Sequence, residues 1–138
     1  MGVRREGREL ALKLLYREEV TGLTEPVVPG IDEADPLALE FAEVLVSGVR
    51  EHRAEIDAAI SAASEHWEIG RMGAVDRTVL RIGAFEILHQ PATPLGVIIN
   101  EAVDAARKYS SAECGKFVNG VLDHIAKESR TAEPRDGE

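Results

Sequence analysis

An all-α fold is predicted for this chain, and three observations predict it. Apolar residues recur at helical spacing through most of the sequence. Prolines and glycines fall at the ends of those stripes, where helices start and stop. No segment alternates as a half-buried strand would; Val97-Ile98-Ile99 is β-branched but lies inside a run of 3.6 periodicity. The expected architecture is a compact bundle of about six or seven helices.

The elements follow in order. Leu10, Ala11, Leu14 and Leu15 form one stripe on a first helix from about Arg4 to Val20, with Gly22 as its stop. Residues 24–35 hold Pro26, Pro29, Gly30 and several acids, and read as a polar loop. Asp35-Pro36 reads as an N-cap followed by proline at the first helical position. Leu37, Phe41, Val44, Leu45 and Val49 make a second stripe. Ile56, Ala59, Ile60 and Ala63 make a third, after a bend expected near Gly48. Trp67 to Gly73 is a short irregular connection. The dense apolar run from Val75 to Leu88 predicts a helix buried on much of its circumference. Pro91 and Pro94 separate it from a helix carrying Ile98, Ile99, Ala102, Val103 and Ala106. Ser110 to Gly115 is expected to be a turn. Phe117, Val118, Val121, Leu122 and Ile125 make the last stripe, and the polar residues 129–138 are expected to fray. Leu14, Val79, Ile82, Val103, Val118 and Leu122 are the expected core.

Composition bounds the function. The 138 residues are one domain's worth, 1–138, with 44% hydrophobic residues and therefore material for a core. Cys114 is the single cysteine and cannot form an internal disulfide. No signal-like or membrane-length apolar run is present, so the default is a soluble cytoplasmic protein. The four histidines (His52, His66, His89, His124) are scattered and without a metal-binding motif, so no metal site is expected. No phosphate loop or nucleophile elbow is present, and neither enzymatic activity nor a cofactor is predicted.

Charge is distributed unevenly. Arg4, Arg5, Arg8, Lys13 and Arg17 stand against Glu6 and Glu9 in the first seventeen residues, in a chain whose net charge is −9. Residues 18–70 hold thirteen acids and two bases. A basic end on an acidic body suits a local grip on a polyanion and not indiscriminate duplex binding. Arg4 and Arg8 share a helix face with Arg5 beside them.

Three segments together carry a resemblance. Ile99-Asn100-Glu101-Ala102-Val103, followed by Lys116-Phe117-Val118-Asn119-Gly120, resembles the carboxy-terminal signature of the NusB transcription antitermination family. Asp76-Arg77 with Leu80-Arg81 and Glu86 is similar to that family's helix, and the arginine-rich start is similar to its first helix. The resemblance is collinear over most of the chain and weak between about 22 and 64. It implies two packed helical halves without catalysis. It also implies binding of boxA-like single-stranded RNA jointly with ribosomal protein NusE, within the RNA polymerase antitermination complex. Family members occur as monomers or dimers, and a homodimer would cover the arginine face.

The resemblance also assigns residues. Arg4, Arg5 and Arg8 become the RNA-binding cations, with Lys13 and Tyr16 further along the same helix. Tyr109 matches an aromatic used near RNA, Glu113 an acidic position at the RNA, and Phe117 a second ring whose competing account is core packing. Asp76 and Glu86 become the candidates for contact with NusE. Two other readings stay open. One is a related RNA-binding domain of an RNA methyltransferase, which requires a catalytic α/β domain that these residues do not supply. The other is a helical protein-interaction module without an RNA role.

Overall fold

The computed structural model describes residues 2–65 and 67–130. Among them are six α-helices and no strand: α1 (Val3–Thr21), α2 (Pro36–Glu51), α3 (Arg53–Ala63), α4 (Ala74–His89), α5 (Leu95–Tyr109) and α6 (Ala112–Ser129). A single 3-10 turn, Ile69–Arg71, precedes α4. No described helix is long and apolar enough to cross a membrane.

Local sequence explains most boundaries. Gly22 takes φ 77°, the left-handed geometry that ends α1, and its N–H donates to the Glu18 carbonyl. Asp35 caps α2 by accepting from the Leu37 N–H, with Pro36 at the first turn. The α2–α3 break falls at His52, four residues beyond the expected bend. Gly48 remains helical and serves packing instead: a Cβ there would lie 2.2 Å from the Phe85 ring. The final turn is also shorter than expected. Ser111 accepts from the Cys114 N–H and starts α6 at Ala112, so Glu113, Cys114 and Gly115 are helical.

α4 is the axis of the bundle and touches each of the other five helices. α1 packs on α2 and α5 on α6, and α3 also meets α6. Val79, Leu80, Ile82, Phe85 and Ile87 of α4 are buried, together with Leu45, Ile56, Ile60, Ile98, Ile99, Val118 and Leu122 from its neighbours. Leu14 and Val103, expected in the core, are only partly buried at its edge. Gly83 allows α6 to approach: a Cβ there would meet Leu122 at 2.7 Å.

The end of α4 has an unusual fastening. Arg130 lies just past α6, and its guanidinium donates to the carbonyls of Glu86, Ile87, Gln90 and Thr93 at 2.8–2.9 Å. Residues 129 and 130, expected to fray, are thus tied to the carbonyls of the last turn of α4 and of the α4–α5 connection. Residues 131–138 of the expected frayed tail lie outside the described residues, as does His66.

Candidate nucleic-acid interface

The arginines of α1 divide into two sets. Arg4 and Arg8 share a face, as their spacing predicts, and that face is turned toward α2. Both guanidiniums lie over the Phe41 ring of α2, at 4.5 and 5.4 Å from its centroid. Arg8 goes further in and forms a bidentate pair with Glu86 of α4, at 2.9 and 2.8 Å. The Arg8 side chain is 11% exposed and that of Glu86 1%.

Two sequence expectations are corrected here. Arg8 is engaged inside the fold and is not a free cation for phosphate. Glu86 is buried with both oxygens held by Arg8, so it offers no carboxylate to a protein partner. The physical reason is that an ionised carboxylate at this depth requires a paired donor fork, and Arg8 supplies it. Arg4 stays exposed; besides Phe41 it reaches the Thr93 hydroxyl at 3.4 Å.

The second set runs along the outer face. Arg5, Glu9, Lys13 and Tyr16 follow one another at helical spacing on α1. Arg5 is largely exposed and forms a bidentate pair with Glu101 of α5, with Asp104 at 3.7 Å. Glu9 is the hub. It accepts from Lys108 Nζ at 2.7 Å and from the Tyr109 hydroxyl at 2.5 Å. Hydrogen bonds from Lys108 and then Tyr109 hold the Glu9 carboxyl below its ordinary range, with Lys13 adding a weaker attraction. Burial first, and then the bond to Glu9, push the Tyr109 hydroxyl up. Tyr109 is therefore neutral, oriented through its hydroxyl, and 38% exposed. Lys108 Nζ stands 5.2 Å from its ring centroid. Tyr16 is also exposed.

Between these groups lies a groove of about 170 Å³, bordered by α1, α4 and α5. Leu12, Val79, Ile82 and Ile98 line its apolar part, and Arg5, Glu101, Lys108 and Tyr109 its polar part. The structure thus brings Arg5 and Tyr109 together across α1 and α5. Glu113 and Phe117 do not line this groove. Glu113 is exposed in the first turn of α6, and Phe117 is half-buried against the core.

Several residues of the surface are absent from the sequence reading. Glu9, Glu101 and Lys108 are ordinary helix charges in sequence, and only the packing of α1 on α5 gives them partners. Arg107 lies across α6, where Gly115 leaves it room: a Cβ at Gly115 would meet Arg107 Cγ at 2.9 Å. Arg107 and Lys116 then border a second groove with Asn100 and Asn119.

Asp76 sits in the first turn of α4, half-buried. Its Oδ2 accepts from Cys114 Sγ at 3.1 Å, and its Oδ1 is buried without a partner among the described residues. The position suits an acid at a helix N-terminus.

Comparison with known proteins agrees with this architecture. The model of the NusB family matches residues 5–127. The transcription antitermination protein NusB of Geobacter sulfurreducens is 47% identical over 131 residues, covering 91% of this chain and 95% of the relative. Thermotoga maritima NusB superposes with a TM-score of 0.82 at 36% identity, over 91% of this chain and 92% of that one. A chain from a crystal structure of antitermination factors NusB and NusE in complex with double-stranded RNA gives the same TM-score at 34% identity, over 91% and 97% of the two chains.

Proposed function

The chain belongs to the NusB family, and from that membership we propose that it is a transcription antitermination factor that binds boxA-like single-stranded RNA jointly with ribosomal protein NusE. Its likeness to a chain from the complex of NusB and NusE with double-stranded RNA is the observation that supports joint binding of RNA and NusE, while the single-stranded boxA-like target rests on family membership. The geometry supports a mechanism. Arg5, Lys13 and the exposed Arg4 provide positive charge along α1. Tyr109 and Tyr16 present rings on which unstacked bases can lie. Glu113 and Phe117 extend the surface toward α6.

Neighbouring acids moderate the cations. Arg5 faces Glu101 and Asp104, and Lys108 faces Glu9. Exposed pairs of this kind are weak because water and salt screen them, so a phosphate can displace them. The net charge of −9 opposes the approach of RNA over the rest of the surface. Weak binding alone and stronger binding with NusE follow. Asp76 carries the proposed contact with NusE; Glu86 is not carried forward.

The test is an RNA titration with and without saturating NusE. NusE should raise RNA affinity about 5–150-fold, a coupling of roughly 1–3 kcal/mol, and RNA should raise NusE affinity by the same factor. Equal RNA affinity in both arms would overturn cooperative assembly. Asp76→Asn should weaken NusE binding and leave RNA binding by the isolated protein unchanged.

A further inference from the structure

Two of the histidines that look scattered in sequence meet in the fold. His52 stands at the α2–α3 break, Glu55 in the first turn of α3 and His89 at the last position of α4. The imidazoles of His52 and His89 stack with centroids 3.9 Å apart and planes 21° apart. Phe85 stacks alongside, 5.5 Å from His89 and 6.2 Å from His52. Glu55 Oε1 lies 2.7 Å from His89 Nε2 and 3.6 Å from His52 Nδ1. One donor atom from each of the three residues lies within 4.8 Å of the other two.

We propose that His52, Glu55 and His89 form a binding site for a late first-row divalent cation, zinc above all. Two imidazoles and one carboxylate are a donor set that suits zinc, with a fourth position left for water. Magnesium and calcium prefer oxygen donors and fit it poorly. In a tetrahedral site with bonds of about 2.0–2.1 Å, neighbouring donors sit roughly 3.3 Å apart. The observed 2.7 and 3.6 Å separations bracket that spacing. The two rings lie nearly parallel, so one imidazole must turn out of the stack for both lone pairs to meet a single ion. His89 Nε2 already hydrogen-bonds one carboxylate oxygen of Glu55 and His52 Nδ1 faces the same oxygen at 3.6 Å; a cation would take the lone pairs of both nitrogens. The three side chains are 29–53% exposed, so the ion has a path in from solvent. Phe85 backs the rings on the inner side, in space that Gly48 leaves open.

The site joins the α2–α3 break to the end of α4, so a bound ion ties the first half of the bundle to its axis. It lies apart from the α1–α5 groove and shares no residue with it.

Untagged protein titrated with Zn²⁺ by calorimetry tests this, with Co²⁺ as a spectroscopic probe. One ion per chain should bind saturably and raise the melting temperature. Removing even an outer hydrogen-bond partner of a zinc ligand costs about 10–100-fold in affinity. His52→Ala, His89→Ala and Glu55→Gln should therefore each weaken binding by more than about tenfold, and Cys114→Ser should leave it unchanged. Glu55 is the most exposed of the three, so Glu55→Gln keeps the test valid if a histidine variant misfolds. Absence of saturable 1:1 binding would overturn the proposal. So would wild-type affinity in Glu55→Gln, or a cobalt–thiolate band that disappears in Cys114→Ser.

Discussion

Replacing Arg8 by alanine separates two roles that one arginine can have. In the structure Arg8 closes a bidentate pair with Glu86 between α1 and α4, with 11% and 1% of the two side chains exposed. Removing one partner of such a buried pair leaves an uncompensated charge, which typically costs about 3–5 kcal/mol. For a chain of this size that corresponds to roughly 10–20 °C in melting temperature. Arg8→Met combined with Glu86→Leu removes both charges and fills the space with apolar atoms. That double variant should recover to within about 1 kcal/mol of the parent or exceed it. Urea denaturation followed by circular dichroism measures both, and an RNA titration below the melting transition measures the other role. If Arg8 instead bound phosphate, Arg8→Ala would lose less than about 1 kcal/mol of stability and flatten the salt dependence of RNA binding by about 0.7 in slope. That result would refute the reading of Arg8 as a clamp between helices.

Three further outcomes are expected. Arg5→Ala should weaken all RNA sequences about equally and reduce the salt slope by about 0.7, whereas Tyr109→Ala should leave the slope intact and cost roughly 1–3 kcal/mol of RNA affinity; filter binding across a salt series distinguishes them. Val118 is fully buried, so Val118→Asp should abolish folding, and a soluble variant with a native circular dichroism spectrum would show that α6 is turned the wrong way. Burial raises the Glu19 carboxyl, but Arg77 and Arg81 outweigh it and bring the net value below its ordinary range. Its folded value is then below its unfolded one, so its contribution is present above about pH 4.5 and is lost as pH falls through the folded value. Glu19→Gln should lower the urea midpoint at pH 6 and flatten the acid-side loss.

The fold was legible where local chemistry acts alone. Asp35-Pro36, Gly22 and the Pro91–Pro94 segment each carry their own stop or start signal, and the helices begin and end beside them. The break at His52 was not legible, because Gly48 resembles a hinge in sequence and its packing against Phe85 is visible only in three dimensions. The arginine face was half legible. Spacing places Arg4 and Arg8 side by side, but nothing local says that Phe41 and Glu86 await them. Arg8 and Glu86 are 78 residues apart, and each resembles an ordinary surface charge until α1 packs on α4. The same holds for Glu9 with Lys108 and Tyr109, and for the pairing of His52 with His89. Pairs of opposite or ligating groups brought together by helix crossings have no signature in a single sequence.

The guanidinium of Arg130 has a consequence for the lifetime of the fold. Its four carbonyl partners lie 37–44 residues earlier in the chain, so these bonds can close only after α5 and α6 have returned along α4. Contacts of this kind are absent from a transition state in which the last helix has yet to dock. Losing them accelerates unfolding and leaves the folding rate nearly unchanged. Stopped-flow measurements on Arg130→Ala should show the unfolding limb of the chevron raised and the folding limb in place. That result would make a residue outside all six helices a late latch, one that sets how long a folded molecule survives between openings.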